Sequence, residues 1–164
     1  MFPDELVSVG TEREILETFL DGYRTIVRKQ LTGLSEEAAR TRLVPSATTP
    51  AGVVKHLAAV ERSWFQRTFA QRTDIQGNAR GDDASWVVTD EDTVESLLAE
   101  YAEACAASKA VAEGRSLDDQ VPHHRMGKVS LRWIYVHMIE ETARHAGHAD
   151  ILREQIDGKT EFDM

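Results

Sequence analysis

The chain has 164 residues, 41% of them hydrophobic, and a formal net charge of −9 with a pI near 5.1. That length suits one domain with one substantial core. The acidic balance excludes a nucleic-acid backbone or an anionic membrane surface as partner, since both require a basic face. No apolar run approaches bilayer-spanning length, and MFPDELVSVG has neither the basic start nor the apolar stretch of a signal peptide. The single cysteine, Cys105, cannot form an internal disulfide, so a cytoplasmic protein is expected, with any metal held by His and carboxylate.

Thr11-Glu12-Arg13-Glu14 has the form of a capping box, and Ile15, Leu16, Phe19, Leu20, Tyr23 and Val27 follow at helical spacing. A first long helix is predicted from there to about Gln30. Gly33 breaks it, Ser35 caps a short helix through Glu36, Glu37 and Ala38, and Pro45 ends that connector. Thr49-Pro50 starts the second long helix, with Val53, Val54, Leu57, Val60, Trp64, Phe65 and Phe69 as its apolar positions to about Ala70 and His56 two turns inside. Residues 71–88 contain Gly77, Asn78, Gly81, Asp82 and Asp83 without a sustained period, and predict a mobile loop.

Thr89 is expected to cap a third long helix, with Asp90, Glu91 and Asp92 in its first turn and a stripe of Val94, Leu97, Leu98, Tyr101 and Cys105, ending at Gly114. Pro122 and Gly127 make residues 115–129 an irregular or short extended connection. Ser130 caps the last helix, Gly158 closes it, and the acidic tail 159–164 is expected to be disordered. Four long amphipathic helices with no convincing sheet predict an all-α fold, a four-helix bundle with long crossover connections, as a single domain with its core at about 11–157.

The last helix carries the chemistry. At about 100° per residue, His137, Glu141, His145 and His148 fall within an arc of roughly 80°, while Leu131, Ile134, Met138, Ile139, Ala146 and Leu152 supply a packing face. Glu141 and His145 are one turn apart and can share a metal, although the same pair also suits a solvated helix face. His56 lies among apolar residues, where an unpaired imidazole is costly to bury; a partner within the core or a metal would satisfy it. Arg144, Arg132 and Arg125 are candidates for holding a substrate carboxylate, or are surface arginines. His123 and His124 either rim a site or are solvated, and Cys105 reads as a small core residue rather than a nucleophile.

Together, TPAGVVKHLAAVERSWF and LRWIYVHMIEETARHAGHADILRE resemble the two signature stretches of the DinB-like superfamily, over about Thr11 to Asp157. Within it the chain is most similar to the subgroup of mycothiol-dependent maleylpyruvate isomerase and related thiol S-transferases. The resemblance implies a divalent metal on His56, Glu141 and His145 inside the bundle, and a homodimer. Many DinB-like members have histidine at the position of Glu141; here, as in the isomerase, it is glutamate. Two nitrogens and one carboxylate oxygen suit zinc with an open position, and also iron or nickel. His137 and His148 are then each an orienting partner of a ligand, an alternate ligand or a general base, or else a half-buried polar residue, and Arg144 is a catalytic candidate through its hold on a substrate carboxylate. The implied activity is a metal-dependent transferase that activates a small-molecule thiol, mycothiol first. The alternatives are a non-catalytic metal-binding stress-response protein, a metal-dependent hydrolase, or a chiefly structural dimer.

Overall fold

The computed structural model describes residues 3–75 and 83–163. Gly77, Asn78, Gly81 and Asp82, on which much of the loop expectation rested, lie outside them. The described chain is mostly helical. A 3-10 turn, Pro3–Val7, leads into α1 (Glu12–Leu31) and the short α2 (Glu36–Ala39). Then come α3 (Pro50–Glu61), which continues as a π-helical segment, Arg62–Phe69, and a 3-10 turn, Asp83–Trp86. α4 (Val94–Ala112) precedes strands β1 (Gln120–His123) and β2 (Gly127–Ser130), which feed α5 (Leu131–Asp157). No described helix is long and apolar enough to cross a membrane.

Most helix starts follow from local chemistry. The Thr11 N–H donates to Glu14 Oε2 at 2.8 Å and the Thr11 side chain accepts from Glu14 N, which is the reciprocal capping box. Thr49 Oγ1 accepts from Gly52 N at 3.0 Å, with Pro50 in the first turn, and Ser130 Oγ accepts from Trp133 N at 3.2 Å. Gly114 and Gly158 take positive φ just past α4 and α5, the conformation that L side chains resist.

Three expectations require correction. The cap of α4 is Thr93, not Thr89: Thr93 Oγ1 accepts from Ser96 N, and Ser96 Oγ accepts from Thr93 N. Asp92 causes the delay, because its carboxylate accepts from the Thr89 N–H and from Lys55 Nζ, both at 2.6 Å. Residues 89–92 therefore form a turn tied to α3. Second, a small sheet exists: β1 and β2 pair antiparallel, Val121 opposite Val129 and His123 opposite Gly127. Val121 and Val129 are buried, Gly127 supplies a positive φ at the turn, and Pro122 is tolerated because a two-stranded ribbon has only edges. Third, the tail is ordered to Asp163 in a 3-10 turn, anchored where the Glu161 N–H donates to Asp150 Oδ1 at 2.8 Å.

α1 packs along α5, and α3 along α4, with α3 also touching α5. One buried cluster, including Val27, Val54, Leu57, Tyr101 and Ala149, lies around the end that holds His56. The other, including Leu20, Phe65, Phe69, Leu131 and Met138, lies toward the start of α5. Phe65 and Phe69, only 1% and 2% exposed, belong to this core rather than to the surface.

Candidate metal centre

His56 on α3 and Glu141 and His145 on α5 come together, with one candidate ligand atom from each lying within 4.8 Å of the others. Both imidazoles turn Nε2 toward the same oxygen: Glu141 Oε1 is 3.4 Å from His56 Nε2 and 3.2 Å from His145 Nε2. The two histidines are buried and Glu141 is partly buried. Hydrogen bonding from His145 and then His56 holds the Glu141 carboxyl far below the usual carboxylate range, outweighing the opposing effect of burial. With the folded-state value depressed, the ionised carboxylate contributes stability above its ordinary titration range, lost only as pH falls well below it.

The remaining nitrogens are also engaged. His56 Nδ1 lies 2.9 Å from Ser85 Oγ, and His145 Nδ1 lies 3.3 Å from His148 Nδ1. With an ion bound, a hydroxyl accepting from Nδ1–H would hold His56 in the tautomer whose Nε2 is free to ligate; without one, Nε2–H is what serves Glu141. Trp86 stacks on His56, with ring centroids 4.0 Å apart and planes 14° apart, and meets His145 edge-on at 5.0 Å. Its own backbone approaches α3 closely: a Cβ on Gly52 would sit 3.0 Å from the Trp86 carbonyl oxygen and 3.1 Å from Thr49 Oγ1. Glycine at position 52 thus lets the 83–86 turn seat on α3.

These residues fit a divalent ion. Two donors each about 2.0 to 2.1 Å from a tetrahedral ion are about 3.3 Å apart, close to both observed separations. Three protein donors leave a position for an exogenous ligand.

The other candidates scatter. His148 touches the far nitrogen of His145 rather than the convergent donors, and burial, then His145, lowers its pKa. His137 is stacked with Trp133 and edge-on to Trp64, and burial lowers its pKa too. Arg144 donates to Glu141 Oε2 at 3.3 Å and pairs with Glu140. Arg132 is taken by Glu12 and Asp118, tying α5 to α1, and Arg125 lies exposed in the hairpin turn. His123 Nδ1 accepts from the backbone of Arg125 and Met126, and its ring contacts that of His124. Cys105 is buried on α4, its thiol pushed up to about 12 chiefly by burial and then by Glu61.

Sequence reasoning missed Ser85 and Trp86, which sat in a segment read as loop. The signal was Trp86 itself, a large apolar side chain in a polar, aperiodic run, which needs a surface to pack on.

The family model described as Mycothiol-S-transferase matches residues 15–158, a span containing His56, Glu141 and His145. The chain belongs to that family. Among solved structures, one described as the conserved protein of locus from Enterococcus faecalis aligns over 90% of this chain and 98% of its own, with TM-score 0.65 and 18% identity. At that identity the likeness concerns the fold alone. No curated protein matches the chain. Membership of the mycothiol S-transferase family agrees with the resemblance read from the two signature stretches.

Proposed function

We propose that the protein is a metal-dependent S-transferase that uses mycothiol or a related low-molecular-weight thiol, on a DinB-like four-helix bundle acting in the cytoplasm. The observation that carries this reading is the convergence of His56 Nε2, His145 Nε2 and Glu141 Oε1. These three would hold the ion, zinc by preference with iron or nickel as alternatives. A divalent ion bound there supplies the positive charge that favours a thiolate over a thiol.

The chain's own groups perform the rest. Ser85, 2.9 Å from His56 Nδ1, would accept its proton when Nε2 ligates, Trp86 restrains both imidazoles, and Arg144 steadies the second oxygen of Glu141. Cys105 cannot be the nucleophile, being buried with its thiol pushed up to about 12, so the reacting sulfur comes from a cosubstrate. The test is metal analysis followed by free-thiol consumption by the loaded protein, with mycothiol and a panel of small electrophiles. Metal binding with no thiol dependence against any of them would remove the transferase reading and favour the non-catalytic one.

Two further results are expected. Because imidazole must shed its proton to ligate, metal occupancy should fall as pH is lowered; flat occupancy in an equilibrium dialysis series taken into acid would remove the histidines from the site. Ser85→Ala should weaken metal binding by about 10- to 100-fold, the usual consequence of losing a ligand's hydrogen-bond partner. Competition titration against a chromophoric chelator measures it, and an unchanged Kd would show that Ser85 does not orient His56. A homodimer is part of the proposal, supported by the resemblance alone; a monomeric mass by sedimentation across the micromolar range would remove it.

A further inference from the structure

Toward the start of α5 lies a second constellation, of which Trp64 packs on the buried cluster that includes Leu131 and Met138. Four rings from three elements form a continuous aromatic patch: Trp64 of the π-helical segment, His123 of β1, and Trp133 and His137 of α5. Trp64 is 4.6 Å from His137 and 5.2 Å from Trp133, and lies parallel to His123 at 5.5 Å. Trp133 is stacked with His137 at 5.1 Å, with planes 14° apart. The buried side chains at this end include Leu131, Ile134 and Met138, whereas Trp133 remains 40% exposed and Trp64 half-buried. A single exposed apolar residue needs no explanation; here two parallel pairs, Trp64 with His123 and Trp133 with His137, are inclined to each other by 50° at the two tryptophans, and form a rigid aromatic wall with Trp133 on its exposed side.

Its position gives it a role. Side chains on a helix lean toward the N-terminus, so Glu141 leans over the turn that carries His137, and the patch extends from His137 along α5 to Trp133, one turn further from the donors. The donors' other neighbours are already protein groups. Trp86 lies on His56 and His145, His148 lies on the far nitrogen of His145, and Arg144 holds Glu141 Oε2.

We infer that the Trp64–Trp133–His137 patch is the subsite for the electrophilic substrate, and that it takes a planar aromatic or conjugated group. The role in transfer rests on the proposed metal centre; the binding of a flat ligand does not. Ring faces reward a flat π-system by stacking beyond mere area burial, whereas a saturated chain gains burial alone.

The probe is 2,4-dinitroaniline, a planar ring without a leaving group for a thiol to displace, titrated calorimetrically into metal-loaded and metal-free full-length protein. Saturable one-site binding is expected in both forms. Trp133→Ala should weaken it about 10-fold, on the scale of a lost stacking partner, while Trp133→Phe retains most of it and the metal content of both variants stays unchanged. Trp64→Phe provides a second, milder variant, expected to weaken binding less than Trp133→Ala does. No saturable binding by the parent protein, or parental affinity in Trp133→Ala, would overturn the subsite. Intact probe binding that is lost in Trp133→Ala, without thiol-dependent turnover, would support the subsite while sinking the transferase reading.

Discussion

Glu141→Ala, His145→Ala and His56→Ala are each expected to abolish stoichiometric metal binding, whereas His148→Ala retains it. Each of the first three removes one of the donors that converge within 4.8 Å, leaving two, too few to hold an ion against water. His148 touches only the outward nitrogen of His145. Its loss should cost at most the 10- to 100-fold typical of an orienting partner. His137 makes no hydrogen bond to the three and stacks with tryptophans instead, so His137→Ala should bind metal as the parent does. Glu141→Gln and His145→Gln, which keep volume and hydrogen-bonding capacity, separate lost ligation from lost folding. Full retention by Glu141→Ala, with loss in His148→Ala or His137→Ala, would overturn the assignment.

How far this site could be read from sequence depends on distance along the chain. Glu141 and His145 are one helical turn apart, so periodicity alone places them side by side. His56 is 85 residues from Glu141, and only the resemblance linked the two stretches before the fold did. Ser85 and Trp86 were invisible because no period governs a turn whose place is set by contact with His56 and Gly52. Thr89 misled for a related reason. It has the right chemistry for a cap, but Lys55, far away in sequence, draws Asp92 into a turn, and Thr93 caps instead. The hairpin was half legible: Pro122 and Gly127 announced a break, but the pairing of Val121 with Val129 depends on both valines finding the core.

The bond joining α1 to the end of α3 was equally hidden, and breaking it should have the largest effect on stability. Arg24 Nε and one terminal nitrogen donate to the two oxygens of Glu61, both at 2.7 Å, and Glu61 is 0% exposed. Burial alone would lower the Arg24 pKa; the Glu61 carboxylate more than offsets it, and the net direction is upward. Glu61→Ala would strand a guanidinium at 6% exposure, with Asp21, itself shared with Lys109, as its remaining partner. Removing one partner of a buried pair costs about 3 to 5 kcal/mol, against a total stability of about 5 to 15 kcal/mol for a domain. At about 2 to 4 °C per kcal/mol for a chain of this size, Tm should fall by about 6 to 20 °C. The double variant Arg24→Met with Glu61→Leu should recover most of the loss, because an apolar pair of similar volume avoids the desolvation cost that the ions bear. Urea unfolding followed by circular dichroism decides the matter: a single-variant loss below about 1 kcal/mol would mean that water reaches the pair and that it contributes no more than a surface ion pair does.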